Sequence, residues 1–150
     1  IIPIIALIVL KTIGIVKSFQ VVSIKERKIP LFIMLLIFYI LGRLLINIQD
    51  FKELGILFYG TNISLAIVYL LFSFQIKSSL HILSMSSTLG FFLLFANSYA
   101  ISIFPIGIIL ILLTGILASS RLYLKAHTPK EIYYGFFIGL LGQFLGFLLL

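Results

Sequence analysis

The chain alternates between long apolar blocks and short polar breaks. Six apolar blocks can be read: Ile1 to about Val16, Pro30 to about Asn47, Gly55 to about Phe74, His81 to about Asn97, Ile101 to about Ala118, and Ile132 to Leu150. Each is near the ~20 residues that a helix needs to cross about 30 Å of hydrocarbon at about 1.5 Å per residue. None shows the every-second-residue alternation of a half-buried strand. The pattern predicts an all-α fold, a polytopic membrane bundle of about six helices forming a single transmembrane domain over residues 1–150. Ile1 already lies inside a hydrophobic run, and the first block is short. The chain is therefore expected to be truncated at its N-terminus.

Composition strengthens the membrane reading. Hydrophobic residues make up 62% of the chain and charged residues 10%, and the mean hydropathy is +1.29. Eleven Lys and Arg with four Asp and Glu are too few to give a soluble domain of this length its polar shell. Cysteine is absent, which excludes a disulfide framework and a thiolate metal site. Two histidines and four acidic residues leave little material for a metal cage, so chemistry without metal or cofactor is expected. The net charge of +7 is spread thinly between membrane segments and does not suggest nucleic-acid binding. Basic groups beside a bilayer more often meet anionic lipid headgroups or a phosphorylated substrate.

The breaks differ in character. If the helices alternate in direction, the linkers Lys17 to Ile29, Gln75 to Leu80 and Ser119 to Glu131 share one side of the membrane. That side collects Lys17, Lys25, Arg27, Lys28, Lys77, Arg121, Lys125 and Lys130, together with His81 and His127. Gln49 to Leu54 and Ser98 to Ala100 lie on the other side, which keeps Lys52, with Arg43 one to two turns inside a span. An Arg so placed usually snorkels to the headgroups. Lys17, Lys25 and Lys130 are expected to face lipid headgroups rather than to act in chemistry.

Two stripes within the spans read as packing faces. Gly135, Gly139, Gly142 and Gly146 recur at three- and four-residue intervals in the last block, a spacing that lets helix backbones approach closely. Ser84, Ser87 and Thr88, with Ser86 nearby, give the fourth block a small polar side expected to face protein. No long-period repeat is evident and the spans carry no break within them, so a transporter has no support.

The richest stretch runs from Ser119 through Arg121, Lys125, His127, Thr128 and Pro129 to Glu131. A phosphate ester needs cations around its oxygens, an in-line nucleophile and a proton donor for the leaving alkoxide. Arg121 offers a forked donor suited to phosphate. His127 is uncharged often enough near neutral pH to attack phosphorus. Glu131 lies four residues on, so a helix beginning near Pro129 can bring its carboxylate back to the imidazole. That contact would fix the ring's tautomer and support positive charge on it, the role of a triad's third member.

Ser120-Arg121, five residues, His127, three residues and Glu131, followed by Ile132 and Gly135, resembles the third signature motif of the type 2 phosphatidic acid phosphatase superfamily, in which the acid is Asp. In that family the motif joins the fifth and sixth helices, where it also falls here. Lys77-Ser78-Ser79-Leu80-His81 resembles the second motif, Pro-Ser-Gly-His, through its Ser-x-His core, with Ser78 and Leu80 replacing Pro and Gly. The first motif, Lys, six residues, Arg-Pro, is not intact. Lys77, closest in sequence to His81, is expected to stand in for its cation. Arg27 and Lys28, ahead of Pro30 on the same face, are the other candidates.

The resemblance implies a metal-independent membrane phosphatase that hydrolyses a lipid phosphate or diphosphate through a phosphohistidine intermediate. His127 would be the nucleophile, His81 would protonate the leaving group, and Glu131 would orient His127. Arg121, Lys77, Ser79 and Ser120 would bind the phosphate. The implied substrates are phospholipids such as phosphatidic acid and phosphatidylglycerophosphate, or polyprenyl diphosphates. The altered motifs motivate a different class, a catalytically inactive relative acting as a structural or lipid-binding membrane subunit. For orientation, the excess of Lys and Arg favours a cytoplasmic basic face. The resemblance instead implies a bacterial inner membrane with the active face toward the periplasm.

Overall fold

The computed structural model describes residue 12 and residues 24–150, the side chains of Lys25 and Glu26 excepted. Apart from residue 12, the first expected span, and Lys17 after it, lie outside the described residues. The rest is helical, with no strand among the described residues. Five helices follow one another: α1 (Ile24–Leu45), α2 (Lys52–Leu71), α3 (Leu80–Tyr99), α4 (Phe104–Tyr123) and α5 (Pro129–Leu149). All five are long and apolar enough to cross a membrane, which is the structural content of an integral membrane protein.

Short turns set the up-and-down order. A 3-10 turn, Gln49–Phe51, leads into α2, and another, Phe72–Phe74, ends it. Gln75, Ala100 and Lys125 have positive φ of 59°, 51° and 51°. At α4 the Lys125 N–H donates to Leu122 O and the Ala126 N–H to Arg121 O, the paired closure of a Schellman motif. After α2 the same pair recurs, Gln75 N–H to Phe72 O and Ile76 N–H to Leu71 O. After α3 the Ala100 and Ile101 N–H groups both reach Ala96 O. Helix carbonyls that lipid cannot satisfy are thus satisfied by the turn itself.

The central helix is α5, which packs on α2 and α3, while α1 packs on α2. Backbone contact decides this arrangement. A Cβ on Gly135 would lie 2.5 Å from Ser79 O, and one on Gly142 would lie 2.7 Å from Gly60 O. Only hydrogen fits there. Hydroxyls then bond across the seams: Ser64 Oγ donates to Ile138 O at 3.1 Å, and Ser87 Oγ to Gly139 O at 3.3 Å. In lipid, such close packing and interhelical hydrogen bonds take the place of the hydrophobic force between helices. The glycine stripe therefore packs as expected.

The serine stripe is corrected in part. Ser86 and Ser87 are buried against α5. Ser84 is exposed, and Thr88 bonds back to Ser84 O within α3. The glycine face of α5 meets the 83, 86, 87 and 90 side of α3, and the 84/88 row points elsewhere. Each outward hydroxyl is satisfied by its own helix, Ser84 Oγ by His81 O.

The apolar core, built from Ile24, Leu31, Val68, Phe72, Leu83 and Ile138, occupies the half of the bundle where α1, α3 and α5 begin. It forms the floor beneath the histidine-bearing face. Helix α4 is peripheral: it packs on α3, and Thr114 is its buried residue. Its remaining apolar surface is what a helix presents to acyl chains.

Candidate active site

Three chain segments meet at the basic face: the first turns of α1, the α2–α3 loop, and the α4–α5 turn. The last is built most explicitly. The Schellman closure after α4 reverses the chain at Lys125, and Thr128 then caps α5, its Oγ1 accepting the Glu131 N–H at 3.4 Å. Thr128-Pro129-Lys130-Glu131 has the Thr-x-x-Glu form of a capping box, with Pro at the first helical position. In the usual box the Glu turns back to the cap. Here its Oε2 lies 2.7 Å from His127 Nδ1.

The pair is sheltered, with the side chains 7% and 19% exposed for His127 and Glu131. A carboxylate only accepts, so in the neutral ring Nδ1 carries the proton and Nε2 presents its lone pair away from Glu131. The expected approach of the Glu131 carboxylate to the His127 ring is present in the structure.

The α2–α3 loop is tied to the same place. The Ser79 N–H donates to Glu131 O at 3.0 Å, and Gly135 packs on Ser79 O. The backbone around the second cluster is thereby braced on the first turn of α5. His81, two residues later, is solvent-exposed on α3, and its ring lies within Coulombic range of Arg121, His127 and Arg27. Arg27, half-buried, is also within Coulombic range of Glu131. Three cations or potential cations thus act electrostatically on His81, and the Glu131 carboxylate acts on Arg27.

The remaining expected residues divide. Arg121 was expected in a linker, but α4 runs on to Tyr123 and holds it in the last turn. A cation is favoured there because the C-terminal carbonyls carry partial negative charge. Arg27 and Lys28 likewise belong to the start of α1 rather than to a linker. Lys77 is half-buried in the α2–α3 loop. Ser120 is exposed, and its hydroxyl donates to Ile116 O at 2.9 Å, within its own helix. Ser79 is fully buried, and so is Ser78; neither hydroxyl has a hydrogen-bond partner among the described residues.

The sequence offers Lys77 first and Arg27 or Lys28 as the other candidates for the first motif's cation; Arg27 lies in Coulombic range of His81 and Glu131. The burial of the Ser78 hydroxyl is not foreseen from the sequence. Ser79 is also the N-cap of α3 without capping it. The first N–H groups of α3 therefore add partial positive charge beside the two hydroxyls. Among the described residues no group of three or more His, Cys, Asp or Glu could hold a metal ion. The chemistry available is that of an anion site: guanidinium groups, a helix N-terminus, and an imidazole oriented by a carboxylate. No protein-family model, curated protein or solved structure matches the chain.

Proposed function

We propose that the chain is a metal-independent membrane phosphatase, a divergent relative of the type 2 phosphatidic acid phosphatases, acting on a lipid phosphate or diphosphate. The observation that carries this reading is the His127 Nδ1–Glu131 Oε2 contact with His81, Arg121 and Arg27 in electrostatic reach. Nε2 of His127 attacks phosphorus, and the phosphorus–oxygen bond to the leaving group breaks. His81 delivers a proton to the departing oxygen, and the phosphoryl group rests on His127. Water then attacks that phosphorus with His81 taking its proton, which releases inorganic phosphate and restores His127. Arg121 and Arg27 balance the charge on the phosphoryl oxygens throughout. Residues 81, 121 and 127 lie at helix ends on one face, where a lipid headgroup would sit, so the substrate is a phosphorylated lipid within the bilayer. By the same resemblance the face looks toward the periplasm of a bacterial inner membrane. Reporter tags at each end of the chain, read for periplasmic or cytoplasmic activity, test that orientation.

The test is phosphate release from phosphatidic acid, phosphatidylglycerophosphate and a polyprenyl diphosphate in vesicles holding the purified chain, with a chelator present. Turnover of one of them that persists with chelator and disappears in His127→Ala is expected. No turnover of any, or turnover that the chelator abolishes, contradicts the reading.

A second reading, an inactive relative that serves as a structural or lipid-binding subunit, is favoured by two observations. Ser79, expected to bind phosphate, is sealed beneath the surface, and Ser120 bonds its own helix. Vanadate separates the two. Protection of His127 from chemical modification by vanadate marks a formed anion site, and indifference marks a scaffold.

A further inference from the structure

At the end of the bundle opposite the histidines, α2, α3 and α5 part to form a cleft of about 360 Å³. Lys52 and Glu53, in the first turn of α2, stand at its mouth with Tyr99, the last residue of α3. Ile56, Phe91, Phe95 and Phe147 line its walls. Phe91, Phe95 and Tyr99 recur at four-residue intervals along α3, with ring centroids 5.8 and 4.6 Å apart. One aromatic ladder thus runs from the depth of the cleft to its mouth. The helix from Phe91 to Tyr99 covers about 12 Å at about 1.5 Å per residue. A single leaflet contributes about half of the ~30 Å of hydrocarbon, so the cleft is nearly as deep as a leaflet.

The interior suits hydrocarbon. Gln143 supplies the amide among the lining residues, and its side chain is spent on the α2–α5 seam: Nε2 donates to Leu57 O and Thr61 Oγ1, and Oε1 packs on Gly60. The mouth is different. Lys52 is exposed and lies in Coulombic range of Glu53. Glu53 Oε1 accepts the Tyr99 O–H, which holds the carboxylate at the α3 rim. A carboxylate has about four acceptor sites, so it can take a second donor.

A cation beside an anion, at headgroup depth over an apolar cleft, is complementary to a zwitterionic phospholipid. Lys52 matches the phosphate and Glu53 the ammonium. The charged side chains at this end, Arg43 and Lys52 against Asp50 and Glu53, cancel, so no surplus positive charge draws an anionic lipid in preference. A primary ammonium donates N–H to a carboxylate, and a trimethylated one has no N–H to donate.

We infer that this cleft binds phosphatidylethanolamine, with one acyl chain along the Phe91–Phe95–Tyr99 ladder, the phosphate at Lys52 and the ammonium at Glu53. The site stands at the opposite end of the bundle from His127, so it holds or fails independently of the phosphatase reading.

The experiment titrates the whole chain in detergent with phosphatidylethanolamine, phosphatidylcholine and phosphatidylglycerol of identical acyl chains, and counts bound lipid by native mass spectrometry. Ser98→Trp plugs the mouth from an exposed position, and the binding it removes is the binding in the cleft. Phosphatidylethanolamine is expected to fill the cleft as a single saturable copy, at least about tenfold tighter than the other two, the scale of a charge-assisted hydrogen bond. Glu53→Gln, which still accepts the Tyr99 O–H, is expected to erase the preference over phosphatidylcholine. Lys52→Gln is expected to weaken phosphatidylethanolamine about fivefold, the scale of one basic side chain at a headgroup. Absence of a saturable phosphatidylethanolamine copy, equal or tighter binding of either other lipid in the cleft, a preference unchanged in Glu53→Gln, or binding undiminished in Ser98→Trp would overturn the inference.

Discussion

His127 and Glu131 face each other across the N-cap of α5, with Nδ1 and Oε2 2.7 Å apart. Thr128 lies between them; its extended backbone starts the helix and its hydroxyl accepts the Glu131 N–H, which forms the first turn that carries Glu131. The carboxylate itself is turned to the imidazole. If the pair acts as proposed, Glu131→Gln keeps the side-chain shape but no longer enforces a proton on Nδ1. Phosphate release is expected to fall by about 10²–10⁴-fold, in line with loss of the carboxylate in comparable triads. Glu131→Asp, which shortens the reach, should retain more activity than Glu131→Gln. The comparison of kcat for the two variants checks this.

Arg27 stands in Coulombic range of both His81 and Glu131, whereas Lys77 sits on the α2–α3 loop. Arg27→Ala is therefore expected to reduce kcat/KM for the lipid phosphate by at least ~10²-fold, the scale of a lost charge-stabilising contact. Lys77→Ala should have a smaller effect. A larger loss from Lys77→Ala would return the role to the residue favoured by sequence proximity.

The glycine seam gives a stability test that needs no substrate. Gly142→Ala places a methyl group 2.7 Å from Gly60 O, which forces α2 and α5 apart and should destabilise the bundle by about 1–3 kcal/mol. Gly115→Ala on α4, where nothing lies within 4 Å, should be neutral or raise stability by up to about 1 kcal/mol through helix propensity. Reversible unfolding in mixed micelles measures both.

Ala100 holds φ of 51° at the end of α3. Ala100→Gly removes the steric strain of that left-handed conformation, and stability should rise by up to about 1 kcal/mol. Ala100→Val, β-branched, should lower it by more than 1 kcal/mol. The same unfolding assay ranks the three chains.

Much of this architecture is legible in the residue pattern because bilayer thickness imposes one length on every apolar block. The second through sixth blocks correspond to α1 through α5, and the spacing of Gly135, Gly139, Gly142 and Gly146 announces the α5 seam. Boundaries are less legible. Hydropathy ends a span at the first polar residues, but Ser119 and Ser120 bond Gly115 O and Ile116 O, which lets α4 continue to Tyr123 and carry Arg121 on a helix. The site is legible where its residues are close in sequence, as His127 and Glu131 are. It is not legible where tertiary packing decides. Burial of Ser79 follows from Gly135 pressing on its backbone, and the approach of Arg27 follows from the packing of α1 on α2. Neither is encoded in local spacing.

The most direct test follows the phosphoryl group itself. The purified chain is mixed with radiolabelled phosphatidic acid or a labelled polyprenyl diphosphate, quenched in alkali within the first turnovers, and mapped by peptide. Label on His127 that survives alkali and is lost in acid is the expected result, with none on His127→Ala. Phosphate release from the unaltered chain with the label absent from His127, or an unlabelled chain that releases no phosphate, would contradict nucleophilic catalysis at this residue.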